Sequence, residues 1–442
     1  MQYFESLSDR LEEASVLTHK RSRLWNSLHS SEFGIGAFIN YQAVRMVADM
    51  FGGASNEVTG FVTSGGSESL ASAVLAYRNW GIKNRGHQPG EGVVIASKSV
   101  HAAILKMRPT YFYNVALLET DESGKINLEQ LEKTVEKHGN KVIAIIASAP
   151  SYPTGVIDPI KEMAEIAQQN GCGLHVDCCL GGFVINNLNH NTDFLTYPGV
   201  TSLSVDTHKN GFADKGSSVL AAKTLDGVSL AYYLSYAVPD WSGGVYGTPK
   251  QNGSESCVPA FNAFATMLIV GKTGYERIAR AIHQTAYDLA GVIRAYNSSL
   301  KLLAEPEVNV VAFQIDKALG LRKGATYAFA HEMAARNFSL SVLSNDKLHF
   351  CVTMRFASDA KALQQFGTAV GESLEAVKKR NEKGEEFPGE AGMYCALEAA
   401  MAPVRTEMST RKFLENIFLG MSGARDAVHA YNLAQLDPYQ TF

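Results

Sequence analysis

The feature that most constrains this chain is an alternation, from Gly60 to about Leu220, of short apolar runs with segments of helical apolar spacing. Val93-Val94-Ile95-Ala96, Gly173-Leu174-His175-Val176 and Ser202-Leu203-Ser204-Val205 read as buried strands. Such alternation predicts a largely parallel sheet with helices on both faces, and it places chemistry-bearing residues at the carboxyl ends of strands. Residues 1–50 read as an N-terminal helical arm. After a loop from Pro239 to Cys257, a long helix is expected from Val258 to about Leu300, then strands near Val308–Phe313 and Leu348–Thr353 with helices between. A chain of 442 residues exceeds the size at which single cores stop growing. The expected division is an arm (1–50), a large domain (51–300) and a small α/β domain (301–442).

Four segments carry chemistry. Ser204-Val205-Asp206-Thr207-His208-Lys209 ends a strand with a His-Lys pair. A lysine there can be a surface residue, or a covalent catalyst whose amine burial and a neighbouring histidine push toward the neutral, nucleophilic form. Upstream, Asp177 ends the strand Gly173–Val176 and precedes Cys178, Cys179, Gly181 and Gly182. It can cap the next helix, or hold a proton on a heteroaromatic nitrogen while the small residues let a flat ring lie close to the backbone. Thr63-Ser64-Gly65-Gly66-Ser67-Glu68 reads as strand, glycine turn and helix start. Ser67 is expected to cap the helix, with the amides of Gly66 and Ser67 making a phosphate cradle. The turn lacks both the P-loop ending and the GxGxxG of a dinucleotide fold. His101 follows the strand Val93–Ala96, where an imidazole can cap a helix or stack on a ring and move protons.

In this order the four segments resemble the pyridoxal phosphate enzymes of fold type I, and within them the sphingosine-1-phosphate lyase family, related to the group II decarboxylases. Residues 204–218, SVDTHKNGFADKGSS, match that family's pattern almost residue for residue. TSGGSES (63–69), SAPSYPTGVID (148–158), HVDCCLGGF (175–183), PDWSGGVYGTP (239–249), LHFCVT (348–353) and MAPV (401–404) extend the likeness over roughly residues 25–420. It implies a fold type I transferase fold with a mostly parallel mixed sheet, and pyridoxal 5'-phosphate as cofactor, held by the large domain. It implies that Lys209 bonds the cofactor aldehyde, Asp177 pairs with the pyridine nitrogen and His101 stacks on the ring. Gly66, Ser67 and His208 would hold the cofactor phosphate, joined by Thr248 from the second subunit of a homodimer with shared active sites. His29 and Lys215 would meet a substrate phosphate. The implied reaction is retro-aldol cleavage of the C2–C3 bond of a phosphorylated long-chain 3-hydroxy amine such as sphingosine-1-phosphate, giving a fatty aldehyde and phosphoethanolamine.

The departures bear on substrate. Where the family reads Gly-Ser-Arg-Pro-Gly, this chain has Gly253-Ser254-Glu255-Ser256-Cys257, and a carboxylate in a phosphate pocket would repel its ligand. Neither the membrane anchor of eukaryotic members nor their tyrosine-bearing segment before the first helix is found. An amino-acid decarboxylase of the same cofactor class is the nearer alternative, with Arg355 as candidate for a substrate carboxylate or for a structural ion pair; a non-catalytic relative has no use for Lys209, Asp177 and His101 together.

Composition agrees. A net charge of −4 gives no electrostatic case for nucleic acid or an anionic membrane, so a small-molecule substrate is expected. The cysteines at 172, 178, 179, 257, 351 and 395 have no metal-ligand spacing and fit free thiols in a reducing cytoplasm. No apolar run reaches the ~18 residues of a spanning helix, so a cytoplasmic protein without a membrane span is expected.

Overall fold

The computed structural model describes residues 2–27, 34–53, 58–188, 190–343 and 346–387. Helices α1 (Gln2–Ser22) and α2 (Gly34–Met50) lead into β1 (Thr59–Thr63), α3 (Gly66–Arg85), β2 (Val93–Ser97), the short α4 (Ala103–Lys106) and α5 (Arg108–Tyr111), and β3 (Asn114–Leu118). Then come α6 (Leu128–His138), β4 (Val142–Ser148), α7 (Ile160–Gln169), β5 (Gly173–Asp177), α8 (Gly182–Ile185), β6 (Val200–Val205) and β7 (Ser218–Ala222).

These seven strands form one mixed sheet in the order β1-β7-β6-β5-β4-β2-β3. Every pairing is parallel except those of β7, which is antiparallel to β1 and to β6. The fold is thus the α/β fold of type I pyridoxal phosphate enzymes. The central strands β4, β5 and β6 are buried at every position. A strand covered on both faces has no solvent side, hence continuous apolar runs rather than alternation. Helix α3 packs over β4 to β7 and seats the fully buried Tyr77 and Trp80, while α7 covers β4 and β5. β7 runs backward because the connection from β6, residues 206–217, holds no crossover helix.

Two small hairpins follow, β8 (Thr224–Leu225) with β9 (Val228–Ser229) and β10 (Tyr236–Val238) with β11 (Tyr246–Thr248), and then helix α9 (Val258–Ala295). The periodicity predicts one unbroken helix here, but Gly271 has φ 63° and breaks it. Apolar spacing continues across the break, and the left-handed conformation is one glycine adopts without strain.

The remaining elements are β12 (Leu300–Leu302), β13 (Val310–Ile315), α10 (Ala325–Ala335), β14 (Ser341–Leu343), β15 (Lys347–Cys351), α11 (Met354–Ala357) and α12 (Ala362–Glu382). The chain forms two compact units, Met1–Phe313 with His349–Gln365, and Gln314–Leu348 with Phe366–Phe442. The second has its own core of Phe329, Met333, Phe366 and Leu374. Arg336 bridges Glu332 and Glu372 there at 2.8 and 2.9 Å. Among the described residues, no helix is long and apolar enough to cross a membrane.

Candidate active site

Parallel pairing brings the carboxyl ends of β2, β5 and β6 to one edge of the sheet, and the same edge receives the end of β1 and the start of β7. His101, Asp177, the Gly65-Gly66 turn and the Asp206–Lys209 segment therefore meet, although 144 positions separate Gly65 from Lys209.

Lys209 is held by a residue that the sequence reading did not single out. Its Nζ lies 2.9 Å from Asp206 Oδ2, and the Asp206 side chain is 2% exposed. Burial pulls the Lys209 amine down, yet Asp206, with Cys179 and Asp177 behind it, outweighs burial, so the pKa is raised above the ordinary lysine value. The expectation that burial and a histidine make this amine neutral is therefore corrected: a carboxylate at hydrogen-bond distance overrides desolvation. The one signal in the sequence was the spacing of Asp206, three residues before Lys209 on a tight turn.

His208 is neutralised rather than charged. Burial lowers its pKa, with Lys215 and Lys209 acting in the same direction against Asp206. Its Nδ1 accepts from the Ser217 amide at 3.2 Å, which leaves the proton on Nε2, 3.5 Å from Asp206 Oδ2. His208 thus offers one donor to the site.

The cradle is built around Gly66. A Cβ there would lie 2.8 Å from Cys179 Sγ and 2.9 Å from Asp206 Oδ1. The amides of Gly66 and Ser67 open α3, and first-turn amides have no intrahelical acceptor. Ser67 does not cap the helix as expected. The N-cap is Gly65 and no side chain fills that role; the Ser67 side chain is exposed. Instead Glu68 reaches back, its Oε2 accepting from the Ser64 amide at 2.7 Å and the Ser64 hydroxyl at 2.6 Å.

Asp177 is buried at the end of β5. Burial raises its pKa; the Cys179 amide, which donates to Oδ1 at 3.0 Å, and the neighbouring His101 oppose the rise. A positive partner is what such a carboxylate lacks. His101, half-buried, accepts the Ala103 amide on Nδ1 at 3.2 Å. Beneath Asp177 runs a buried hydrogen-bond chain: Tyr77 to Ser202 (2.7 Å), Ser202 to His175 Nδ1 (2.7 Å), His175 Nε2 to Ser204 (3.1 Å), and Ser204 to Cys179 Sγ (3.2 Å). Burial lowers the His175 pKa to about 3, so this ring is neutral. Gly181 and Gly182 are tightly packed on their Cβ side, where an added Cβ would lie 2.7 Å from Pro150 Cδ and 2.9 Å from Val205 Cγ1.

Of the remaining candidates, Lys215 is exposed and within electrostatic reach of His208. Thr248 is buried in β11. Glu255 turns its carboxylate to Lys250 Nζ at 2.5 Å. Arg355 is exposed and makes no ion pair with a described residue. His29 and the MAPV stretch lie outside the described residues.

Residues 33–316 match the pyridoxal-dependent decarboxylase conserved domain. The chain belongs to the pyridoxal-dependent decarboxylase family. Within that family it is similar to sphingosine-1-phosphate lyases. That of Dictyostelium discoideum is 31% identical over 339 residues, covering 75% of this chain and 60% of the relative. That of Saccharomyces cerevisiae is 32% identical over 314 residues, covering 69% and 52%. The chain thus spans between half and two thirds of the length of these curated relatives. The solved sphingosine-1-phosphate lyase of Burkholderia pseudomallei superposes with a TM-score of 0.75 at 28% identity, covering 86% of this chain and 85% of that one. A glutamate decarboxylase from Lactobacillus brevis, 17% identical with a TM-score of 0.69 over 83% of this chain and 86% of its own, shares the fold.

The family cofactor is pyridoxal 5'-phosphate, and the residues present fit it. A lysine amine, a buried carboxylate short of a cation and a glycine cradle at a helix N-terminus converge on one sheet edge, and Asp206 Oδ1 is buried without a hydrogen-bond partner among the described residues.

Proposed function

We propose that this protein is a pyridoxal phosphate-dependent aldehyde-lyase that cleaves the C2–C3 bond of a phosphorylated long-chain 3-hydroxy amine such as sphingosine-1-phosphate. The observation that supports the reading is the exposed ammonium of Lys215, within electrostatic reach of His208, which adjoins Lys209 in the chain. A cation there suits a substrate that brings its own phosphate.

When bound, pyridoxal phosphate supplies an electron sink for the bond that breaks. Lys209 would supply the amine that holds the cofactor. Asp177 would hold a proton on the ring nitrogen, and His101 would stack on the ring. Gly66, Ser67 and the Nε2–H of His208 bind the cofactor phosphate, with Thr248 reaching it from a second subunit. Lys215 and His29 bind the substrate phosphate. Glu255 does not work against them, because its carboxylate is engaged by Lys250.

The same proposal includes a homodimer with shared sites, a cytoplasmic location, a place in sphingolipid breakdown, and a division near residue 300 between a cofactor-binding and a small domain. The segment carrying Thr248 supports the dimer: Val238, Trp241 and Val245 on it are 47%, 55% and 83% exposed, apolar surface that a second copy would cover. The second reading, an amino-acid decarboxylase, is favoured by the matched family domain.

The test is the visible absorption of the protein with pyridoxal phosphate, beside Lys209→Ala, before and after a phosphorylated long-chain 3-hydroxy amine is added. A Lys209-dependent band that the amine shifts, with release of aldehyde, is expected. If only amino acids shift the band and carbon dioxide is released, the decarboxylase reading replaces this one.

A further inference from the structure

Lys250 is 6% exposed, and it lies two residues past Thr248 in the segment that follows β11. Its Nζ is 2.5 Å from Glu255 Oε1, 3.2 Å from the Val62 carbonyl and 3.8 Å from Glu68 Oε1, and it stands 5.3 Å from the centre of the Phe61 ring. An ammonium has three N–H donors. Two acceptors, Glu255 Oε1 and the Val62 carbonyl, lie within hydrogen-bond distance of this one, and Glu68 Oε1 stands beyond it at ion-pair distance.

What Lys250 does reach is the foundation of the cradle. Glu68 is in the first turn of α3, and its Oε2 takes both the amide and the hydroxyl of Ser64, on the other side of the Gly65-Gly66 turn. Its Oε1 faces Lys250 at 3.8 Å and Asn252 at 3.4 Å. Glu68 thus fixes the turn, but alone it would set a negative charge beside the place where a phosphate dianion must sit, opposing the attraction of the helix N-terminus. Lys250 offsets part of that charge, which it shares with Glu255, and holds the carboxylate in place.

Glu255 in turn holds Lys250, and its own backbone is tied down: its amide donates to Asn26 Oδ1 at 3.3 Å, and its carbonyl accepts from the Ser27 amide at 3.0 Å. The carboxylate that stands where the resembling pattern has arginine is therefore one end of a Glu255–Lys250–Glu68 clamp.

We propose that Lys250 is a positioning residue for the cofactor phosphate, acting through Glu68 on the Gly65–Ser67 turn, with Glu255 as the residue that keeps it there. The clamp rests on the reading of Gly66 and Ser67 as the phosphate cradle. It predicts a defect confined to the phosphate. Dissociation constants for pyridoxal phosphate and for pyridoxal, which has the same ring and aldehyde without the phosphate, are measured in the full chain, in Lys250→Met, in Glu255→Gln and in the double variant. Lys250→Met should weaken pyridoxal phosphate at least tenfold and pyridoxal less than twofold. Glu255→Gln should shift the same ratio less, and the double variant should be no worse than Lys250→Met. Should Lys250→Met fail to fold, the ratio in Glu255→Gln decides alone. Equal losses for both ligands, or no loss for either, overturn the clamp. A wild-type chain that binds pyridoxal phosphate without dependence on Lys209 overturns the cofactor site itself, and the clamp with it.

Discussion

Lys209 Nζ and Asp206 Oδ2 are 2.9 Å apart, and this pairing, rather than the neighbouring His208, governs the charge on the lysine. Asp206→Asn removes the charge while keeping the shape. An opposite charge at this distance favours the charged amine, so the Lys209 titration should move down in the variant. Acylation of Lys209 against pH, read by mass spectrometry of its peptide, checks this. The sign extends to stability: because the folded-state pKa is raised, the pair stabilises fully below the ordinary lysine pKa of 10.5 and is lost as pH rises through the higher folded value. An unchanged midpoint in the Asn variant would mean the pair has no hold on the amine.

Gly66 is hemmed in by Cys179 Sγ and Asp206 Oδ1, 2.8 and 2.9 Å from where a Cβ would sit. Gly66→Ala should therefore cost about 1–3 kcal/mol of overpacking and weaken cofactor binding about tenfold. Removing the sulfur in a Gly66→Ala/Cys179→Ala double variant should recover part of both losses, measured by urea unfolding and cofactor titration. A double variant no better than the single one would place the conflict with Asp206 alone.

Asp158 is a buried carboxylate whose oxygens accept the amides of Ile126 and Ser148 at 2.9 and 2.8 Å. Burial dominates these bonds and pushes its pKa up to about 6. Its protonated form thus favours the fold: the contribution is full below the unfolded value of 3.8 and is lost as pH rises to about 6, on the order of 3 kcal/mol in all. Unfolding free energies of the wild type and Asp158→Asn at several pH values between 4 and 7 should differ in slope across that window. Parallel curves would contradict it.

His175 has a pKa lowered to about 3 by burial, so it stays neutral between pH 6 and 9. His175→Phe should cost about 2–4 kcal/mol, because the hydroxyls of Ser202 and Ser204 lose their partner inside the core. The pH profile of the cofactor band should keep its midpoints over that range. Its own linkage has the opposite sign to that of Asp158: the stability is present above the ordinary imidazole pKa of 6.5 and is lost as pH falls toward about 3.

Much of this was legible in the chain itself. The strands that end in Asp177 and Val205 announce themselves as apolar runs because a central strand buried on both faces admits little else. The residue types at the site were equally plain, since an amine, a carboxylate and an imidazole after strands have few uses in common. Ser67 was misread as the cap because a serine near a helix start commonly fills that role. Gly65 occupies the position instead, at φ 152°, and Glu68 supplies the hydrogen bonds to Ser64.

What the sequence determined by itself is the alternation that builds a parallel sheet and the order in which its reactive residues arrive, because burial period and chemical type are local properties of a chain. What only the tertiary structure decided is which charges meet. Asp206 against Lys209 and Glu255 against Lys250 are separated by three and five positions, yet neither pair follows from its spacing, since the alternatives were a histidine controlling the amine and a carboxylate facing a substrate phosphate. Those choices depend on distances of a few ångströms and on the exclusion of water, and both exist only once the sheet edge, the α3 turn and the segment after β11 have packed together.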